Sequence, residues 1–350
     1  MDRQDFIVEA VKDAIELRQP VGIQGGNSKA FYGYPANGEL LDVSVHSGIV
    51  EYDPGELVIT CRAGSRLSDI RATLRENGQH LPFEPPGFGE AATIGGTVAC
   101  GFSGPRRPWA GSLRDYLLGV KMVNGSGDVV QFGGRVMKNV AGYDISRLMA
   151  GSMGTLGVLL ETSFKVLPLP AVELTLAFEC SQSEAINRVN QWSGQPLPLS
   201  GAAWREGLLQ VRLSGAETEV RRTAQRLQAG EVNEDPETWR DLREQRSEFF
   251  AGPNDLWRLS LPPASGPLDL AGDCLVDWGG AQRWYRTGLP ANEIREKAAR
   301  AGGHATLFRG QSGSERFHPL PPALQQVQDR VKKAMDPHGV FNPHRMSLYW

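Results

Sequence analysis

Residues 92–104 read Ala-Thr-Ile-Gly-Gly-Thr-Val-Ala-Cys-Gly-Phe-Ser-Gly. The stretch has the apolar content of a buried element, yet glycine interrupts it at positions 95, 96, 101 and 104. Each glycine costs roughly 0.5–1 kcal/mol relative to alanine in regular structure, so core packing alone gives no reason for them. A large rigid body lying against the backbone does.

Two more segments of this kind flank it. Val21-Gly22-Ile23-Gln24-Gly25-Gly26-Asn27-Ser28-Lys29 reads as a short buried strand running into a glycine loop. Gly142-Tyr143-Asp144 leads on to Gly151-Ser-Met-Gly154-Thr-Leu-Gly157-Val158. Neither standard nucleotide motif fits. Met153 stands where a GxGxxG fingerprint needs its second glycine, and that segment precedes a strand instead of opening a helix. The 22–29 loop lacks P-loop spacing. The first loop offers successive backbone N–H groups suited to a pyrophosphate. Three separated loops suit an extended FAD better than a mononucleotide.

The whole chain is compatible with that reading. At 350 residues it is long enough for about two domains. Its 41 glycines and 23 prolines predict many tight loops, not a helical bundle. A net charge of −3 supplies no field for nucleic acid or an anionic membrane. Cys61, Cys100, Cys180 and Cys274 are far apart, with neither a CxxC pair nor a disulfide framework. That spacing points to a reducing compartment and to no iron–sulfur cluster held by this chain alone. With no apolar run of membrane length and no signal-peptide layout, the expected location is cytoplasmic, or peripheral to a membrane through a partner.

Local patterns give a mixed α+β order. Phe6 to Leu17 carries an apolar stripe at helical spacing. Ser65 is expected to cap a helix ending near Asn77, and Leu117 to Phe132 reads as a hairpin turning at Asn124-Gly125-Ser126-Gly127. Asp144 reads as the N-cap of Ile145 to Met149, and Ser181 with Glu184 as a capping box. Leu167-Pro168-Leu169-Pro170 marks a boundary. The expected domains are 1–170, 171–320 and a C-terminal helix and tail at 321–350.

The three glycine segments, with Phe341-Asn342-Pro343 near the C-terminus, resemble the FAD-binding domain of the vanillyl-alcohol oxidase (PCMH-type) superfamily. Within it the chain is similar to the small FAD-binding subunits of bacterial glycolate oxidases. The resemblance implies a two-subdomain FAD-binding domain, then a reduced α/β cap domain with antiparallel sheet, then a tail returning to the first domain. It implies that Gln24, Gly25, Gly26, Asn27 and Ser28 hold the pyrophosphate. Thr93, Ile94, Gly95, Gly96, Val98, Gly101 and Ser103 would line the diphosphate–ribityl stretch and the ring. Gly142 and Tyr143 would shape the flavin pocket, Gly154, Gly157 and Val158 would approach the adenine half, and Asn342 would lie near the isoalloxazine. Asn27 stands where covalently flavinylated relatives often carry histidine, so the FAD is expected to be noncovalent. No metal is expected.

The larger hydroxy-acid dehydrogenases of that superfamily carry a Gly-Asp-Gly-Asn-His type motif in the substrate domain. Here the nearest segment is Gly302-Gly303-His304-Ala305-Thr306. His304 reads either as a base or as a structural histidine beside a strand. Arg106-Arg107 reads either as an anion ligand or as a solvated pair. Cys100 reads as a small buried residue. The resemblance therefore implies a subunit of a complex that oxidises glycolate to glyoxylate. Its partners would be a larger FAD-binding subunit and an iron–sulfur subunit. A stand-alone oxidoreductase of a small 2-hydroxy acid or sugar alcohol, and a non-catalytic structural subunit, are the alternatives.

Overall fold

The computed structural model describes residues 1–134, 144–234, 236–310 and 315–350. They form two compact units. The first comprises 1–103, 112–169 and 319–350, and the second comprises 104–111 and 170–318.

In the first unit the Gln4–Leu17 helix buries Ile7, Val11 and Ala14, the stripe expected from its period. Those side chains meet Val21, Leu41, Val340 and Phe341 in one core. The short strand Val21–Gln24 pairs in parallel with Glu39–Asp42, and Phe341 bridges to Val21 from the other side. A second core lies under a five-stranded antiparallel sheet ordered Ile49–Asp53, Val58–Arg62, Val158–Lys165, Leu117–Val123 and Val129–Gly133. The Leu67–Glu76 helix packs into it through Leu67, Ile70 and Leu74. Two adjacent cores in one unit give the two-subdomain arrangement.

Local chemistry accounts for most boundaries. Leu117–Val123 and Val129–Gly133 form the expected hairpin, with Asn124 Oδ1 accepting from Ser126 and Asp128 N–H in the turn. Asp144 accepts from Arg147 N–H at 3.0 Å and caps Ile145–Met149. Ser65 departs from expectation. The cap position of the Leu67–Glu76 helix is Arg66, and Ser65 Oγ instead exchanges two hydrogen bonds with Gly48. A hydroxyl serves whichever backbone groups tertiary folding brings nearest.

The second unit is built on an eight-stranded sheet, antiparallel at every paired strand. Gln182–Ser193 opens with the Ser181–Glu184 capping box and buries Ala185, Ile186 and Val189. Residues 104–111, which follow the glycine-rich stretch, belong to this unit. There Arg106 pairs with Glu173 and donates to Ser214 at 3.0 Å, while Arg107 lies 4.5 Å from the Trp278 ring centre. Arg106 is thus tied within its own unit, while Arg107 is exposed beside the Trp278 ring. Trp109 packs against the core that Ala185 and Val189 enter.

Candidate cofactor site

Thr93 breaks the backbone from extended geometry into a helix, Ile94–Cys100, and its side chain accepts from Gly96 N–H at 3.2 Å. Gly101 closes that helix in the left-handed region at φ 67°, donating back to Thr97 and Val98 carbonyls. The stretch 92–104 is therefore a short helix with loop flanks, not a continuous loop. Its two sides do different work. Ile94, Gly95 and Val98, expected along the cofactor, face inward: Ile94 and Val98 are wholly buried in the core. A Cβ on Gly95 would stand 2.7 Å from the Ala63 Cβ. Thr93, Gly96, Ala99 and Cys100 form the other side.

That other side lines a cavity of about 470 Å³. Its remaining walls come from 22–30, from 35–40, from Met153, and from Asn342 and Arg345 of the tail. Gln24, Gly25, Gly26, Asn27, Ser28, Thr93, Gly96 and Asn342, all named from sequence, meet here. A second cavity of about 600 Å³ is lined by Ser44, Ser47, Gly64, Ser65 and Arg66, and shares Gly26 and Thr93 with the first. The close approach at this shared wall requires glycine: a Cβ on Gly26 would fall 1.4 Å from the Ala91 carbonyl oxygen.

The other named residues hold the walls in place. Ser103 accepts from Leu113 N–H at 3.0 Å. A Cβ on Gly101 would be 3.0 Å from Gly151 N, and one on Gly154 2.5 Å from the Asn342 amide. Gly157 abuts Met122, and Val158 is wholly buried in the first core. Gly142 and Tyr143 lie outside the described residues.

Asn342 is 4% exposed, and its side chain is divided between two segments. Oδ1 accepts from Ile23 N–H at 2.7 Å and Nδ2 donates to the Met153 carbonyl at 2.7 Å. It joins the first loop's strand, the 151–157 segment and the tail. Behind it Lys332 donates to the Thr155 and Phe341 carbonyls and to Asp336, whose carboxylate accepts from Val340 and Phe341 N–H.

The donor set suits an anionic, extended ligand. Among the described residues, the backbone N–H groups of Gly26, Asn27 and Ser28 have no protein acceptor. Asn27 is in the left-handed region at φ 53°, so consecutive N–H groups can converge on one anion. Two cationic side chains line the same cavity: Lys29, whose Nζ also donates to Gly87 O, and Arg345. Sequence reasoning missed Arg345, Met153 and the 35–40 wall because nothing local marks them. Cys100, read as a small buried residue, is half-buried on the cavity wall, and burial raises its thiol pKa despite Lys29 and Arg345. Such a thiol stays protonated.

His304 belongs to the second unit, where it is exposed at the start of the His304–Arg309 strand, 6.3 Å from the His318 ring. Partial desolvation of its ring, with the Arg258 and His318 charges, holds its pKa below the ordinary value. Among the described residues no group of three His, Cys, Asp or Glu side chains could hold a metal, and no helix is long and apolar enough to cross a membrane.

A family model described as an FAD binding domain matches residues 2–133, the span that carries the first loop and the Ile94–Cys100 helix. Glycolate oxidase subunit GlcE of Escherichia coli (strain K12) is 50% identical over 345 residues, covering 99% of this chain and 97% of that protein. The chain belongs to the GlcE family of glycolate oxidase subunits. It is an FAD-binding protein of the oxidoreductase class. Likeness to the related GlcD is partial: glycolate oxidase subunit GlcD of Bacillus subtilis (strain 168) is 34% identical over 163 residues, 46% of this chain and 34% of that one. Among solved structures, an alkyldihydroxyacetonephosphate synthase superposes with a TM-score of 0.69 at 14% identity, covering 98% of this chain and 75% of that one. That superposition shows the α+β, PCMH-type fold, and the FAD-binding domain is shown by the family model.

Proposed function

We propose that this chain is the FAD-binding subunit of a multisubunit glycolate oxidase. In that complex glycolate loses two electrons and two protons to become glyoxylate. A larger FAD-binding subunit carries out that oxidation, and an iron–sulfur subunit passes the electrons on. The observation that carries the reading is the paired cavity at Gly26 and Thr93, walled by unpaired N–H donors, in a chain similar to GlcE along its whole length.

Bound FAD supplies reversible two-electron chemistry. The chain's own residues do the rest. Gly26, Asn27 and Ser28 present donors to the diphosphate. Thr93 and Gly96 keep the facing wall free of bulk. Asn342 holds the first loop and the 151–157 segment at fixed separation. The binding is noncovalent, with Asn27 at the position where an attachment histidine would stand.

The experiment is a visible spectrum of the purified chain, supplied with FAD, followed by anaerobic glycolate. Flavin that stays oxidised until partner subunits are added is the expected result. Bleaching by glycolate in the isolated chain would identify a self-sufficient oxidoreductase, and failure to take up FAD would identify a structural subunit.

A further inference from the structure

Arg345 stands three residues beyond Asn342 in the C-terminal tail, and it lines the cofactor cavity. Its guanidinium donates to the Tyr34 carbonyl and to the Lys29 and Ala30 carbonyls at 3.4 and 3.3 Å. Tyr34 N–H donates back to the Arg345 carbonyl at 3.1 Å. All of these acceptors are neutral. Among the described residues no carboxylate pairs with Arg345, and burial depresses its pKa with only Cys100 opposing. An arginine stays charged regardless, and a partly desolvated charge without a counterion is costly until an anion supplies one. On the same cavity wall stand the unpaired N–H groups of Gly26, Asn27 and Ser28.

We propose that Arg345 is a ligand for the diphosphate of the cofactor, so that cofactor binding and docking of the C-terminal tail are thermodynamically linked. The inference rests on the FAD reading and adds to it a specific anion ligand with a conformational consequence. An anion held by Arg345 and by the 26–28 donors ties the tail to the first loop. Anything that binds only the docked arrangement stabilises it by mass action, and the coupling is reciprocal. A charge-assisted contact at a shielded site is also worth more than a neutral hydrogen bond.

The test titrates the full-length apoprotein with FAD, ADP and riboflavin, comparing wild type with Arg345→Gln and Arg345→Lys. ADP retains the diphosphate without the flavin, and riboflavin retains the flavin without phosphate. Arg345→Gln is expected to weaken FAD and ADP by about tenfold or more and leave riboflavin unchanged, with Arg345→Lys between. Circular dichroism checks that each variant folds. In a second measurement, ADP is expected to slow chymotryptic cleavage of the tail in wild type and not in Arg345→Gln. Equal FAD and ADP binding by wild type and Arg345→Gln overturns the proposal, as does an equal loss for riboflavin, which would make Arg345 purely structural. A wild-type chain that binds ADP through Arg345 but refuses FAD overturns the flavin reading and keeps the anion ligand. One that binds neither overturns both.

Discussion

Lys332 Nζ stands 2.6 Å from Asp336 Oδ2, with the lysine side chain 8% exposed and the aspartate wholly enclosed. The pair is one turn apart at the end of the Pro322–Met335 helix, and its hydrogen bonds fasten Val340, Phe341 and Thr155. Replacing Lys332 by Met leaves a carboxylate buried with no cation, a loss of about 3–5 kcal/mol by analogy with other broken buried pairs. Urea unfolding of the full chain is expected to show it as a lower midpoint. An unchanged midpoint would mean that the ion pair does not hold the tail.

Gly95 and Gly96 are adjacent, and they are expected to fail in different ways. Gly95→Ala forces a methyl against Ala63, an overpacking cost of about 1–3 kcal/mol that appears as lost stability. Gly96→Ala meets only the Thr93 hydroxyl at 3.2 Å and lies on the cavity wall, so it is expected to fold and to bind FAD more weakly. Thermal melts of the apoproteins and FAD titrations separate the two effects. The reverse assignment would mean that the helix is rotated from the orientation described.

Asn342 offers a graded series. Asn342→Asp keeps an acceptor for Ile23 N–H but sets a carboxylate oxygen against the Met153 carbonyl, and Asn342→Leu loses both bonds. Each buried group left unsatisfied costs about 1–3 kcal/mol, more where a charge is involved. Both variants are expected to lose stability and FAD affinity together, which parallel melts and flavin fluorescence titrations would record. Loss of stability with full FAD affinity would separate the tail from the cofactor wall.

His46 makes the first unit acid-sensitive. Its side chain is fully buried, Nδ1 accepts from Arg3 N–H at 3.0 Å, and Nε2 has no partner. Burial holds its pKa below the ordinary 6.5, outweighing the Asp2 carboxylate. Between the folded pKa and 6.5 the unfolded chain binds the extra proton, so stability falls as pH drops through that window and is constant above it. Asn at position 46 can keep the Nδ1-type acceptor without titrating. Urea midpoints measured across pH 5 to 7 are therefore expected to vary less in His46→Asn than in wild type; equal slopes would assign the acid sensitivity elsewhere.

Features encoded within a few residues were legible from sequence. The Gln4–Leu17 stripe, the hairpin through Asn124–Gly127, the Asp144 cap and the Ser181–Glu184 box each depend on spacing along one turn or one strand pair. The first loop was legible for the same reason: Gln24 to Ser28 combine a strand end with consecutive glycines, and all five line the cavity. Ser65 was misread because its partner, Gly48, is distant in sequence and no local pattern announces it. Arg106 paired with Glu173 for the same reason.

By itself the sequence determined that the backbone at 24–28 and at the glycines of 92–104 must be closely approached, because glycine density is a local cost that needs a reason. Only the tertiary structure decided which side of the Ile94–Cys100 helix faces the cavity, since Gly95 abuts Ala63 in the core while Gly96 lies on the cavity wall beside the Thr93 hydroxyl. It also decided that the tail closes the site. Asn342, Lys332 and Arg345 reach Ile23, Thr155 and Tyr34 across 319, 177 and 311 residues of chain. Contacts over such separations depend on the cores that bring the segments together, and no periodicity in the sequence records them.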